Sequence, residues 1–315
     1  MKLLSFVIPC YRSENTIEKV FDEIISVVSE KEEYDYEIIA VNDCSPDKVY
    51  NVLQKRAFDN QKIKVINFAK NMGKHSAVMA GYSVAKGEYV VNLDDDFQCP
   101  VNELWKLMEP LEQNMCDVAT AAYITKKESA VKRLGSTINL KMTEGMLDKP
   151  KGLRIENFSA MKKFVCDEMI RYKNPYPYLE GLIFRATNNI VAVTMEQRER
   201  ADDNKSGFTF KKSLSLLMNG LTAFSIKPLQ VSSLLGVIFA LLGFMYGIYT
   251  IIHKILNPDM VLGYSSIMAV LLFSVGLIMI MLGVIGEYLG RIYVCINQSP
   301  QYVIRETINI GENNQ

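Results

Sequence analysis

Residues 88–96 read EYVVNLDDD, a short apolar run that ends in three consecutive aspartates. A run of this kind suits a strand buried on both faces of a parallel sheet. Three similar runs precede it: LLSFVIP at 3–9, YEIIAVND at 36–43 and KIKVINF at 62–68. Helical spacing fills the gaps. Residues 13–31 carry Ile17, Val20, Phe21, Ile24, Ile25 and Val28 at intervals of three and four, with Ser13 placed to cap the helix. Residues 47–58 and 73–86 suit two more helices. Strand and helix alternate four times, which predicts an α/β fold with a mainly parallel sheet and crossover helices. Ligands of such sheets bind beyond the carboxyl ends of the strands. Asp43 and the Asp94–Asp96 triplet fall at two of those ends. No G-x-G-x-x-G follows the first strand and no GxxxxGK[ST] occurs, which disfavours dinucleotide and P-loop readings.

Three adjacent carboxylates repel one another and raise one another's pKa. A hard divalent cation removes that cost and prefers oxygen ligands. If the strand continues through the triplet, Asp94 and Asp96 share a face and Asp95 points oppositely. The first two could then hold Mg²⁺ or Mn²⁺, which would neutralise a departing diphosphate. A solvated acidic turn is the alternative.

Charge is distributed unevenly. Lys plus Arg is 35 and Asp plus Glu is 35, so the net charge is zero. That excludes a nucleic-acid binder held by bulk positive charge. Residues 228–290 hold only three of those charges: Lys254, Asp259 and Glu287. Within them, 229–252 and 264–286 are uncharged, and each exceeds the ~20 residues a helix needs to cross a bilayer. Pro258 and Gly263 punctuate the connection, so the block predicts a two-helix transmembrane hairpin. Lys211, Lys212, Lys227 and Arg291 flank the hairpin, whereas the loop has Lys254 alone. This bias predicts a multi-pass protein of the cell membrane with its N-terminal domain in the cytoplasm. The six cysteines are scattered, without metal-ligand spacing, and suit a reducing compartment.

Four segments together carry a family resemblance: VIPCYRSENTI at 7–17, VNDCSPD at 41–47, NFAKNMGKHSAVMAGYSVAKGEY at 67–89 and LDDDFQCP at 93–100. In this order they resemble glycosyltransferase family 2, with the GT-A fold. With the C-terminal hairpin, they are most similar to the polyprenyl-phosphate branch. The resemblance implies that Pro9, Tyr11, Glu14, Asp43, Lys74, Asp94 and Asp95 meet the nucleotide. It implies metal ligation by Asp96, with Asp94 and Gln98 as further candidates, and catalytic roles for Asp95 and Asp96. Within these four segments three positions depart from the family pattern. Asn42 replaces a common aspartate and could still bond a base or ribose without charge. Cys44 replaces a turn glycine, and Cys99 replaces a common aspartate.

The second half is read the same way. Arg133 resembles a basic residue that meets phosphate. Arg198, Arg200, Lys205 and Ser206 resemble a segment that clamps the donor diphosphate or acceptor phosphate, with Arg200 also a catalytic candidate. A charged surface loop is the alternative for both. Asn157 stands where relatives often have an aspartate base, and Glu180 is another candidate carboxylate. The expected organisation is a catalytic domain at 1–206, an amphipathic segment at 207–227, the hairpin at 228–290 and a tail at 291–315. The implied activity is inverting transfer of a sugar from a nucleotide donor, a UDP-sugar, to polyprenyl phosphate. A different acceptor, or a non-catalytic membrane scaffold, are the competing readings. Gly236, Gly243, Gly247, Gly276, Gly283 and Gly286 could pack the hairpin against a second copy in a homo-oligomer.

Overall fold

The structure, a computed structural model, describes residues 1–123, 153–196, 198, 227–256, 263–297 and 299–311. The chain divides into two compact units, Met1–Ser215 with Gln298–Gln315, and Leu216–Asn297.

The first unit is built on an eight-stranded mixed sheet. Its strands are β1 (Lys2–Cys10), β2 (Tyr34–Asn42), β3 (Ile63–Phe68), β4 (Tyr89–Asn92), β5 (Val118–Tyr123), β6 (Ser159–Lys162), β7 (Ile190–Met195) and β8 (Ile304–Ile308). Their spatial order is β7-β5-β6-β4-β1-β2-β3-β8. β1 lies between β4 and β2 and pairs parallel with both. That place explains its sequence: Leu4 through Cys10 are all buried, so no polar face interrupts the run. β6 and β8 run antiparallel to their neighbours.

Crossover helices cover the sheet. α1 (Ile17–Ser29) buries Ile17, Val20, Phe21, Ile24 and Val28 as its spacing predicts, and buries Val27 where Ile25 was expected; Ile25 is half-buried. It starts later than expected. Ser13 does not cap it with its side chain; its carbonyl accepts the amides of Thr16 and Ile17, each at 3.1 Å, in the turn before the helix. α2 (Val49–Asp59) and α3 (Lys74–Val84) follow. α3 presses directly on β1: a Cβ on Gly81 would lie 2.3 Å from Val7 Cγ1, so only glycine permits this approach. α4 (Leu104–Glu112), α5 (Lys163–Met169) and α6 (Leu179–Ala186) complete the described helices of this unit. The single tryptophan, Trp105, lies on α4 with its ring 4.8 Å from that of Tyr34.

β8 is a finding that the sequence reading did not contain. Residues 304–308, read above as part of a tail, add an antiparallel edge to the sheet of the first unit. Asn309 Nδ2 donates to the carbonyls of Ala57 at 2.6 Å and Ile63 at 2.9 Å. Tyr302 stacks on buried Phe68 at 5.5 Å.

The second unit contains α7 (Lys227–Leu256) and α8 (Tyr264–Ile296). Leu229–His253 and Phe273–Ile296, of 25 and 24 residues, are long and apolar enough to cross a membrane. The helices touch through Phe239 and Phe273, with ring centroids 5.6 Å apart. Leu234, Phe244, Ile251 and Ile280 are among the many large apolar side chains left exposed. A continuous apolar surface of this kind suits lipid rather than water. α8 runs ten residues past the expected end at 286, through a helical turn bearing the Glu287–Arg291 ion pair at 2.9 Å.

Candidate active site

The carboxyl ends of β1, β2 and β4 and the start of α3 meet at one edge of the sheet. Each approach contains a residue with left-handed backbone: Arg12 (φ 60), Cys44 (φ 51), Gly73 (φ 86) and Phe97 (φ 63). Strain gathered at one edge marks a place where the chain is held for a purpose other than stability. Pro9, Cys10, Tyr11, Asp43, Lys74, Asp94, Asp95 and Asp96 line a cleft there of about 160 Å³. Six of the seven residues expected at the nucleotide are therefore together, and Glu14 is the exception.

Backbone amides and carboxylates stitch the cleft. Asp43 is buried and accepts the amides of Met72 at 2.6 Å and Gly73 at 2.9 Å, which fixes the turn leading into α3. Burial raises its pKa, and those two donors oppose the rise. Glu14 works between turns: its amide donates to Asp47 at 3.0 Å and its carboxylate accepts the Lys48 amide at 2.8 Å. Arg12 donates its amide to Ser45 Oγ at 2.8 Å. The β1 and β2 turns are thus one stitched surface.

The three aspartates have three different environments. β4 stops at Asn92, so the triplet lies in a turn and strand alternation does not govern it. Asp94 forms an ion pair with Lys74 and accepts Asn157 Nδ2 at 2.7 Å. A lysine on its carboxylate argues against the expected place of Asp94 among metal ligands. The pairing also explains the amide at 157: an aspartate there would face another carboxylate, whereas asparagine donates to it. Asp95 accepts the Tyr11 amide at 2.8 Å, and its own carbonyl accepts Thr16 Oγ1 at 2.6 Å. Burial pushes Asp95 up to about 6, with Asp94 and Asp96 adding to the rise and the Tyr11 amide opposing it. Asp96 Oδ1 accepts the Gln98 amide at 3.1 Å.

Among the described residues no group of three or more His, Cys, Asp or Glu is placed to hold a metal. Mg²⁺ is commonly held by one or two carboxylates together with substrate phosphates rather than by an all-protein cage. The hard oxygens of Asp96, which lines the cleft, fit that arrangement.

Other expected residues lie apart. Arg198, read as a phosphate ligand, is committed elsewhere: its guanidinium grips Glu23 at 2.6 and 2.7 Å and sits 4.9 Å over the Phe97 ring. Its charge is spent on holding the triplet's flank. Glu180, on the first turn of α6, accepts the Tyr178 hydroxyl at 2.5 Å. Gln98 donates its amide to Asp96 and does not line the cleft. Asn42 is buried, donating to Asn67 Oδ1 at 2.8 Å and accepting the Ser45 amide at 3.2 Å, so both ends of its amide are used internally. Arg133, Arg200, Lys205 and Ser206 lie outside the described residues, as does most of the 207–227 segment.

Two residues join the site that sequence reasoning missed. Glu156 carries a carboxyl whose pKa is raised by burial, with Glu180 and Asp94 adding and Arg154 and Lys74 opposing. His75, at the start of α3, has Nδ1 3.0 Å from the Pro177 carbonyl, and burial lowers its pKa. A carbonyl only accepts, so Nδ1 carries the proton. Their neighbours in sequence are uninformative, because the partners lie far along the chain: Pro177 for His75, and Asp94 and Lys74 for Glu156.

Cys44 accounts for one departure. A β-carbon in the left-handed region costs ~1–2 kcal/mol, and glycine avoids it at ~0.5–1 kcal/mol of unfolded-state entropy. Cys44→Gly is therefore expected to stabilise the first unit by about 0.5–1 kcal/mol. Trp105 fluorescence during thermal unfolding measures this; a lower melting temperature would refute it.

Comparison with known proteins agrees with this geometry. The model of "Glycosyl transferase family 2" matches residues 5–170, and that of the "GtrB C-terminal hairpin" matches 227–292. The uncharacterized glycosyltransferase YkcC of Bacillus subtilis is 31% identical over 97% of this chain and 94% of its own. This chain belongs to glycosyltransferase family 2. It is a glycosyltransferase with a GT-A catalytic domain and an apolar C-terminal hairpin. The undecaprenyl-phosphate 4-deoxy-4-formamido-L-arabinose transferase of Proteus mirabilis is 27% identical over 99% of this chain and 96% of its own. The prophage-derived bactoprenol glucosyl transferase of Shigella flexneri is 27% identical over 96% and 98%. Among solved structures, the glucosyl-3-phosphoglycerate synthase of Mycobacterium tuberculosis in complex with Mg²⁺ and UDP has a TM-score of 0.51 at 16% identity. It covers 71% of this chain and 79% of that one, and supports the fold.

Proposed function

We propose that this glycosyltransferase moves a sugar from a UDP-sugar to polyprenyl phosphate at the cytoplasmic face of the cell membrane, with inversion. The observation that carries the reading is the cleft: Asp43, Lys74 and Asp94–Asp96 converge on one sheet edge in a chain that also bears a membrane hairpin. The names of the Proteus and Shigella relatives, spanning nearly the whole chain, support a polyprenyl acceptor.

In this reading Asp43 and the turn it holds meet the base, and Tyr11 and Pro9 flank the nucleoside. Lys74 lines the cleft with its ammonium on Asp94, and its remaining N–H donors would meet a phosphate of the donor. Asp96 would hold Mg²⁺ or Mn²⁺, which supplies neutralisation of the diphosphate. An oxygen of the lipid phosphate attacks the anomeric carbon as the bond to UDP breaks, and UDP leaves with the electron pair. The acceptor is already an anion at neutral pH, so it needs no dedicated base, consistent with an amide at Asn157. Positioning supplies much of the rate in such a displacement. Two spans put both flanks on one side, and the Lys and Arg around them favour the cytoplasm.

The test is incubation of membranes containing the protein with labelled nucleotide sugars and undecaprenyl phosphate. Label in the lipid fraction from a UDP-sugar is expected. No labelled lipid from any donor would reject the reading.

A further inference from the structure

A line of polar side chains leads from the returning strand β8 to the turn after β2. Glu306 stands opposite Asn67 in the β3–β8 ladder, and its Oε1 accepts Asn67 Nδ2 at 2.9 Å. Asn67 Oδ1 accepts Asn42 Nδ2 at 2.8 Å, and Asn42 Oδ1 accepts the Ser45 amide at 3.2 Å. Ser45 Oγ accepts the Arg12 amide at 2.8 Å and donates to Asp47 at 2.5 Å. Both asparagines are buried.

Both ends of this line demand the same direction, the Glu306 carboxylate as acceptor and the Ser45 amide as donor. An ionised carboxylate only accepts hydrogen bonds, whereas an asparagine amide can face either way. Glu306 therefore obliges Asn67 to present its NH₂ to β8 and its oxygen to Asn42. Asn42 must answer with its own NH₂, which turns its oxygen to the Ser45 amide. Were the amides reversed, the Asn42 NH₂ would meet the Ser45 N–H, donor against donor. A second connection reinforces the first: the Ala69 amide donates to the Val303 carbonyl at 2.9 Å, and Arg305 donates to the Ala69 carbonyl at 3.3 Å. Ala69 lies just before the 71–73 segment that Asp43 holds.

We propose that Glu306 is a positioning residue for the donor nucleotide: through Asn67 and Asn42 it sets the polarity of the 43–47 turn. This rests on the reading above that this turn meets the nucleotide. Glu306 is exposed at the sheet edge and lies outside the cleft, so its replacement need not disturb folding.

The experiment titrates full-length protein in detergent with UDP and Mn²⁺ by calorimetry, with Trp105 fluorescence melts alongside. Glu306→Ala is expected to weaken UDP binding about fivefold to tenfold, the scale of one ordering hydrogen bond. Glu306→Lys, a donor where an acceptor is required, is expected to weaken it further. Glu306→Gln, whose oxygen can accept from Asn67, is expected to stay within about twofold of wild type, since the acceptor is retained. Wild type that binds UDP while the Ala and Lys variants bind equally well overturns the inference alone. A loss in Glu306→Gln as large as in Glu306→Ala, tracking a lowered melting temperature, assigns Glu306 a structural role and also overturns it. Wild type that fails to bind UDP overturns the nucleotide reading itself, and this inference with it.

Discussion

Asp96→Ala is expected to lower sugar transfer by at least ~10³-fold, about 4 kcal/mol of transition-state stabilisation. The loss follows from the metal-holding role proposed for Asp96. Asp94 is paired with Lys74 and accepts a hydrogen bond from Asn157. Asp95 is spent on the Tyr11 amide, and burial holds its pKa at about 6. Asp96 lines the same cleft, and in the proposed function it is the carboxylate that would hold the divalent cation. Asp96→Asn separates charge from local structure, because its amide oxygen can still accept the Gln98 N–H that Asp96 accepts at 3.1 Å. Both variants are expected to melt near the wild-type temperature and to fail in transfer to the same extent. Initial rates with labelled donor measure this. Full activity in either variant would remove Asp96 from the chemistry.

Deleting residues 299–315 while keeping the hairpin is expected to cost the first unit about 5 kcal/mol. The deletion removes β8 from the edge of β3 and uncovers Phe68, which is fully buried and stacked on Tyr302. It also removes Gln301, whose Nε2 donates to the carbonyls of Tyr172 at 3.2 Å and Asn174 at 2.9 Å, and Asn309 with its two bonds. Each bond contributes about 1 kcal/mol, and the aromatic contact adds about 1 kcal/mol beyond its area. A loss of this size lowers the melting temperature of a domain this large by roughly 10–20 °C. Trp105 reports it without interference, because the hairpin has no tryptophan. An unshifted transition would show that the edge strand is dispensable.

The four parallel strands were legible because burial on both faces leaves runs that are almost wholly apolar, as Leu4–Cys10, broken only by Ser5, shows. The hairpin was legible because hydrocarbon tolerates so few charges. The edge strand was not: Ile304-Arg-Glu-Thr-Ile308 has Ile304, Arg305 and Glu306 exposed, so its composition is that of a tail. The location of the cleft was readable from where the aspartates fall. Their division of labour was not, because it depends on partners distant in the chain. Lys74 reaches Asp94, Asn157 reaches it from the other side, and Glu23 takes the charge of Arg198. Asn42 looked like a weakened ligand and proved to be a link in a buried amide relay.

The order of synthesis gives β8 a different significance. More than two hundred residues separate Phe68 at the end of β3 from Ile304 at the start of β8, and both membrane helices lie between them. At ~5–20 residues per second, the edge of β3 waits roughly ten seconds or more for its partner. An unpaired edge is open to other chains throughout that interval. The catalytic sheet closes only after the ribosome has made the hairpin, so completion of the enzyme is timed to follow production of its membrane anchor.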